Sequence, residues 1–304
     1  MPNGAHTPVL LAEVLKWLRP RPGGVYVDAT VGAGGHAAAI AEHIGREGRL
    51  IGIDRDPEAV GVARRRLAGF GDRVRVVRAN FDSLDAVLAE LGIEQVDGVL
   101  FDLGVSSLQL DASSRGFSFR DVGPLDMRMD PTGGQTAADL LNRLPERDLA
   151  DILYRYGEER FARRIAREIV RRRPLRTTEH LRDAVRAAVP RRAWPRNVDV
   201  ATRTFQALRI AVNRELESLE RAIPQAVGRL RPGGRIAVIA FHSLEDRIVK
   251  RALAGDGRLV VLTRTPVRPS PQEVARNPRS RSARLRVAQR RETESGGQDA
   301  ISRP

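Results

Sequence analysis

The sequence predicts a doubly wound α/β fold whose mostly parallel sheet is interrupted by a helical insertion. Three observations predict it. Short β-branched runs alternate with helical stretches from the start to Gly104. The span 106–200 then contains no convincing strand, and the alternation of strand and helix resumes after it.

Taken in order, 25–28 reads as a strand, followed by a glycine-rich turn and a small-residue helix through Ile44. A second strand is 50–54, and Pro57 suits the first turn of the helix behind it. Alternation over 73–78 gives a third strand, with Ser83 as the cap of a helix running to Leu91. Residues 96–102 form a fourth. This order implies a parallel sheet with helices on both faces. Beyond it lie polar, glycine-containing segments (113–120 and 124–130), then helices near 136–143, 146–156, 158–173 and 178–189. One long helix over 204–230 leads to a strand at 235–241, a helix at 244–253, and strands at 259–264 and 283–288. The expected organisation is a sheet domain in two parts, 1–105 and 201–291, around a mainly helical insertion at 106–200 that recognises substrate. A disordered tail is expected at 292–304.

The chain has no cysteine, which removes disulfides, thiolate nucleophiles and cysteine-held zinc. No signal peptide or membrane-length apolar run is present, so a cytoplasmic protein is the natural expectation. The net charge is +14, and lysine occurs only at Lys16 and Lys250. Two arginine-rich segments, 160–192 and 258–291, each carry a local +9, leaving the remainder slightly acidic. Basic charge concentrated in two places suits a polyanionic partner, although solvated helix faces and a basic tail would produce it too. No metal site is read, and the sequence is silent on oligomeric state.

The segment Asp28-Ala-Thr-Val-Gly-Ala-Gly-Gly-His36 follows a strand and opens a helix. Gly32, Gly34 and Gly35 allow a sharp turn and close approach to a ligand. Asp54 ends the next strand, where a carboxylate accepts hydrogen bonds from both hydroxyls of a ribose. Such loops also serve dinucleotides. Asp28, however, would repel a pyrophosphate and attract the ammonium of a methionine moiety, which favours S-adenosyl-L-methionine as cofactor. Asn80, Phe81 and Asp82 end the third strand beside the adenine position, with Phe81 either an apolar lining or a core residue. Asp102 ends the fourth strand at the carboxyl edge, where open α/β sheets bind ligands, and is the catalytic candidate. Arg203, Thr204 and Gln206 at the start of the helix after the insertion are candidates for contact with the polyanionic partner. So is the stretch 276–286, including Arg279 and Arg281. For His242, a packed structural role outweighs a functional one.

Longer blocks are more specific than the glycine loop. They are His6-Thr-Pro-Val-Leu-Leu11, Asp102-Leu-Gly-Val-Ser-Ser107, Arg115-Gly-Phe-Ser-Phe119, Pro124-Leu-Asp-Met-Arg-Met129 and Tyr156-Gly-Glu-Glu-Arg160. Ala201-Thr-Arg-Thr-Phe-Gln-Ala-Leu-Arg209, Phe241-His-Ser-Leu-Glu-Asp-Arg247 and the stretch 277–286 follow. Over nearly the whole chain the sequence resembles the bacterial 16S ribosomal RNA cytosine-N4 methyltransferases of the RsmH (MraW) family. The resemblance implies a class I S-adenosylmethionine-dependent methyltransferase fold, Rossmann-like, with seven strands, one of them antiparallel. It implies cofactor contacts at Gly34, Gly35, His36, Asp54, Phe81, Asp102 and Gln109, and an inserted domain that helps form the RNA site. It also implies a target cytidine in the decoding centre (the P-site region) of 16S rRNA within the small ribosomal subunit. Two departures from the family pattern occur: Asp199-Val200 stands where His-Pro is usual, and Leu108 where proline is usual. A DNA amino-methyltransferase shares the chemistry but typically carries prolines after the acid of the fourth strand, which Asp102-Leu-Gly-Val lacks. A non-catalytic ribosome-assembly factor would not need every cofactor position intact.

Overall fold

A computed structural model describes residues 8–292. His6 and Thr7 of the first block, and residues 293–304 of the expected tail, lie outside the described residues. Seven strands form one sheet: β1 (Val25–Asp28), β2 (Arg49–Asp54), β3 (Val74–Arg78), β4 (Val96–Asp102), β5 (Leu230–Ala240), β6 (Leu259–Val261) and β7 (Arg284–Arg290). Their order is β3-β2-β1-β4-β5-β7-β6. β7 alone runs against its neighbours, pairing antiparallel with both β5 and β6. This is the class I methyltransferase sheet that the resemblance implies. β4 is buried along almost its whole length, as a central strand covered on both faces must be.

Thirteen helices are described: α1 (Leu11–Leu18), α2 (Gly35–Ile44), α3 (Pro57–Leu67), α4 (Leu84–Glu90), α5 (Ser107–Asp111), α6 (Ala137–Arg143) and α7 (Glu146–Gly157) come first. α8 (Ala162–Arg171), α9 (Thr178–Ala188), α10 (Thr202–Asn213), α11 (Glu215–Arg229), α12 (Ser243–Gly255) and α13 (Pro271–Arg276) follow. None is long and apolar enough to cross a membrane. Two clusters, one on each side of the sheet, pack its helices. A separate cluster joins Leu141, Leu153, Ile165, Ile169, Leu181 and Val185 from the inserted helices to Phe205 and Leu208 of α10. The arginines of α8 lie on the opposite face from its buried Ala162, Ile165, Ala166 and Ile169.

The structure corrects several expectations. The long helix at 204–230 is two helices, broken at Arg214, which adopts left-handed geometry (φ 50°, ψ 42°). The Asn213 carbonyl accepts from Arg55. The Asn213 side chain donates to the Met127 carbonyl at 2.7 Å and accepts from the Met129 N–H at 2.8 Å. The end of α10 is thereby fastened to the inserted segment. Ser83 sits at the start of α4 but its hydroxyl caps nothing; Gln225 Oε1 takes the Asp85 N–H instead. The helix expected from 158 begins at Ala162, because Glu158 is left-handed at φ 48° and ends α7. β5 starts earlier than 235, with irregular pairing near Pro232-Gly-Gly234, and β6 ends at Val261.

Candidate active site

The carboxyl ends of β1, β2 and β4 open into a cleft of about 610 Å³. Its near wall is the turn after β1. Gly32 adopts a left-handed conformation (φ 50°) and donates its N–H to Asp54 Oδ2 at 2.9 Å. Asp54 also accepts from the Asp56 N–H at 2.9 Å, so the turn and the end of β2 are locked together around one carboxylate. Both oxygens keep further lone pairs for a ligand. Gly35 opens α2 where a Cβ would stand 2.5 Å from Pro8 Cγ, so its small size lets the N-terminal segment close against the loop.

At the end of β4, the Asp102 N–H donates to Thr30 Oγ1 at 2.6 Å. Asp102 Oδ1 is buried and accepts nothing among the described residues, while the side chain keeps 25 % exposure. Burial, then the nearby charges of Asp28 and Glu245, holds this carboxyl well above the usual carboxylate range. His36 is buried; its Nε2 donates to the Val9 carbonyl at 2.9 Å and its Nδ1 lies 3.5 Å from Asp102 Oδ2. A buried, partner-poor carboxyl facing a cleft is suited to receive a cation or an N–H donor.

Farther along, Phe81 lines the cleft and meets Phe101 edge-on at 5.8 Å, so it serves both readings, lining and core. Gln109 also lines it, but its side chain is engaged: Oε1 accepts from the Ser106 N–H and Nε2 donates to Asp56 Oδ2. Arg115 completes that cluster, donating to Asp56 at 2.8 Å and to the carbonyls of Arg128 and Met129. The polar segment after β4 is thus fastened beneath the loop that follows β2.

Several assignments from sequence change. Asp28 is 1 % exposed and lies behind the cleft wall, so it does not face a ligand directly. Burial pushes it up to about 7, and Asp54 adds to the shift. Gly34 also lies behind the wall; it precedes α2 with φ 78°, and its Cβ would press on Leu67. Asn80 and Asp82 turn toward α11, bonding to Ser218 and, for Asp82, to Arg221.

Among the RNA candidates, Thr204 is fully buried and its hydroxyl has no partner among the described residues, so it cannot meet RNA. Arg203 is exposed and donates to the Glu158 carbonyl, and Gln206 donates to that of Tyr156. Arg279 lines the cleft, held by Ser107 and Asp111, and Arg281 is exposed. His242 is structural in its contacts, with Nδ1 accepting the Glu245 N–H at the start of α12. Asp199 of the first family departure clamps Arg182 and Arg186, both at 2.9 Å.

The MraW methylase family matches residues 3–291. The chain belongs to the MraW methylase family. It is similar to Ribosomal RNA small subunit methyltransferase H of Geobacter sulfurreducens, 54 % identical over 94 % of this chain and 99 % of that protein. It is also similar to the protein of the same name from Heliobacterium modesticaldum, 51 % identical over 94 % of this chain and 98 % of that one. A solved rRNA methylase from Streptococcus thermophilus covers 93 % of each chain at 14 % identity and a TM-score of 0.43, too distant to carry the assignment.

Sequence reasoning missed the far wall of this methylase cleft: Thr202, Arg209, Glu215, Phe241 and Glu245. Arg209 Nε and Nη2 each donate to Glu215 at 2.8 Å. Glu245 is buried, accepts from the Phe241 N–H at 2.8 Å and lies 3.2 Å from His242 Nε2. His242 and Arg209 hold its carboxyl below the usual range, against burial. The only signal in the sequence was that Thr202, Arg209, Phe241 and Glu245 fall inside the long family blocks; Glu215 lies outside them.

Proposed function

We propose that the chain transfers a methyl group from S-adenosyl-L-methionine to the N4 amino group of a cytidine in the decoding centre of 16S rRNA. The observation that carries this reading is Asp102: a carboxyl with one oxygen unpartnered among the described residues, at the carboxyl edge of the sheet and in the same cleft as the turn closed on Asp54. That arrangement fits the cofactor. Asp54 would hold the ribose hydroxyls, Phe81 the adenine, and the backbone around Gly32 and Gly35 the middle of the molecule. Asp102 and His36 would meet its reactive end, and Gln109 shapes the wall through its bonds to Ser106 and Asp56. The relatives named as small-subunit ribosomal RNA methyltransferases support the RNA substrate, as do the exposed Arg203 and the arginine-rich sequence around Arg279 and Arg281. A cytoplasmic setting follows from that substrate.

When bound, the cofactor supplies a methyl group on a sulfonium, already a strong electrophile. Cytosine N4 is a poor nucleophile because its lone pair is delocalised into the ring. The chain's task is to align the amino group and exclude water. Asp102, once ionised, accepts a hydrogen bond from the exocyclic N–H and localises the lone pair. Leu103, Val105 and Phe241 line the cleft with apolar surface. The target base must leave any stack to enter, at a cost of a few kcal/mol unless already unpaired.

The test offers purified small subunits, naked 16S RNA and DNA to the protein with labelled cofactor. Label should enter small-subunit RNA as N4-methylcytidine after digestion. Label confined to DNA, or absent everywhere at saturating cofactor, would defeat the proposal.

A further inference from the structure

The far wall of the cleft contains a cation whose binding capacity is only partly used. Arg209 meets Glu215 through its Nε and Nη2 edge, at 2.8 Å for each bond. The two side chains are 14 % and 9 % exposed. The remaining nitrogen, Nη1, donates to no group among the described residues, yet Arg209 lines the cleft. A two-toothed carboxylate fixes the plane of a guanidinium and so aims its free edge. A buried ion pair adds little net stability over apolar packing, so fold stability alone is a weak reason for one in a ligand cleft.

Glu245 lines the same cleft and acts electrostatically on both this cation and Asp102. Its Oε2 accepts from the Phe241 and His242 backbone N–H groups, and its Oε1 lies 3.2 Å from His242 Nε2. The wall therefore offers a ligand the part-exposed Asp102 carboxyl as an acceptor and Arg209 Nη1 as a donor, with Phe241 among the apolar lining. Cytosine presents an amino donor at N4 and an acceptor at O2 at the other end of the same edge. Uracil presents an acceptor in place of that amino group. Adenine has the amino group but only a C–H where cytosine has O2.

We propose that Arg209 reads the target base by donating from Nη1 to cytosine O2, with Glu215 as the positioning residue that holds the guanidinium plane. This rests on the cytosine-N4 reading above. It adds the group that would tell cytosine from adenine.

The test is a cycle in single-turnover transfer to small subunits reconstituted with cytidine or 2-thiocytidine at the target position, sulfur being the weaker acceptor. The wild-type protein should slow about 10-fold or more on the thio substrate, the scale of one charge-assisted hydrogen bond. Arg209→Lys and the double variant Arg209→Gln, Glu215→Gln, which leaves no buried orphan charge, should both be slower on cytidine. Each should differ by less than about 2-fold between the two substrates, because the contact is already gone. Calorimetry should show their cofactor affinity kept. An equal thio effect in wild type and variants would overturn the proposal, since a merely structural arginine slows both substrates alike. So would a wild-type protein indifferent to sulfur. Failure of the underlying reading is distinct: the wild-type protein would then leave the cytidine subunits unmethylated.

Discussion

Asp102 Oδ2 lies 3.5 Å from His36 Nδ1, and the other nitrogen of that imidazole donates to the Val9 carbonyl. Because a carbonyl only accepts, the Nε2 proton is fixed and Nδ1 is the nitrogen turned to the carboxyl. The glycine loop and the end of β4 are thereby joined through one ring, and Asp102 is aimed by its surroundings. Asp102→Ala should lower methyl transfer by roughly 100-fold or more, the range for a group acting on the reacting atoms. Cofactor affinity should fall much less. Calorimetry and a radiolabel transfer assay measure the two losses, and equal losses would leave Asp102 only a binding role.

Cofactor binding should depend on pH. Asp102 is held well above its ordinary range and Asp28 at about 7, so in the free protein protons persist there toward neutrality. A cationic ligand favours the ionised carboxyl and should release a proton. Affinity should therefore rise with pH as the Asp102 carboxyl ionises, by up to about 10-fold per unit for each coupled proton. Calorimetry in two buffers of different ionisation enthalpy reads the released proton directly. Constant affinity with no proton release would contradict this.

Asp28 makes a separate prediction about stability. Its folded-state value of about 7 lies above the ordinary 3.8, so the folded chain binds more protons than the unfolded chain between those values. Stability from this group is present below about 4 and lost as pH rises toward 7. Asp28→Asn removes that loss. The variant should melt higher than wild type at pH 8, by at most about 4 kcal/mol. The two should converge near pH 4. A variant that melts lower at pH 8 would mean that the buried carboxylate is needed in its charged form.

Arg115 and Asp56 fasten the segment after β4. Their side chains are 12 % and 1 % exposed, and removing one partner strands a buried charge. Arg115→Ala should cost about 3 kcal/mol or more. Adding Asp56→Asn should recover part of it, and thermal melts of the single and double variants would show the recovery.

Thr204 provides a test against RNA contact. Its buried hydroxyl has no partner among the described residues, so Thr204→Val should leave methylation of subunits unchanged. It should also stabilise the fold by about 1 kcal/mol. A loss of RNA affinity with an unchanged melting temperature would restore the residue to the RNA surface.

What the sequence made legible was whatever is written in local backbone chemistry. The turn at Gly32, the strand ends at Asp54 and Asp102, and the strand-helix alternation all follow from short-range pattern. Thr204 was misplaced because its position beside the exposed Arg203 says nothing about helix phase relative to a core that includes Phe205 and Leu208. The Arg209–Glu215 pair was hidden by a helix break that no glycine or proline announces. Its cause is Asn213 meeting Met127 and Met129, residues more than eighty positions away. Asp28 and Asp54 read alike in sequence as strand-ending acids, but packing buries the first and leaves the second on the cleft.

The most direct measurement is nucleoside mass spectrometry of small-subunit RNA, mapped to position, after incubation with S-adenosyl-L-methionine and either the wild-type or the Asp102→Ala protein. The account predicts N4-methylcytidine at one decoding-centre cytidine with the wild type and a loss of roughly 100-fold or more in its rate of formation with the variant. Methylation at another atom or another base, or equal product from both proteins, would contradict it.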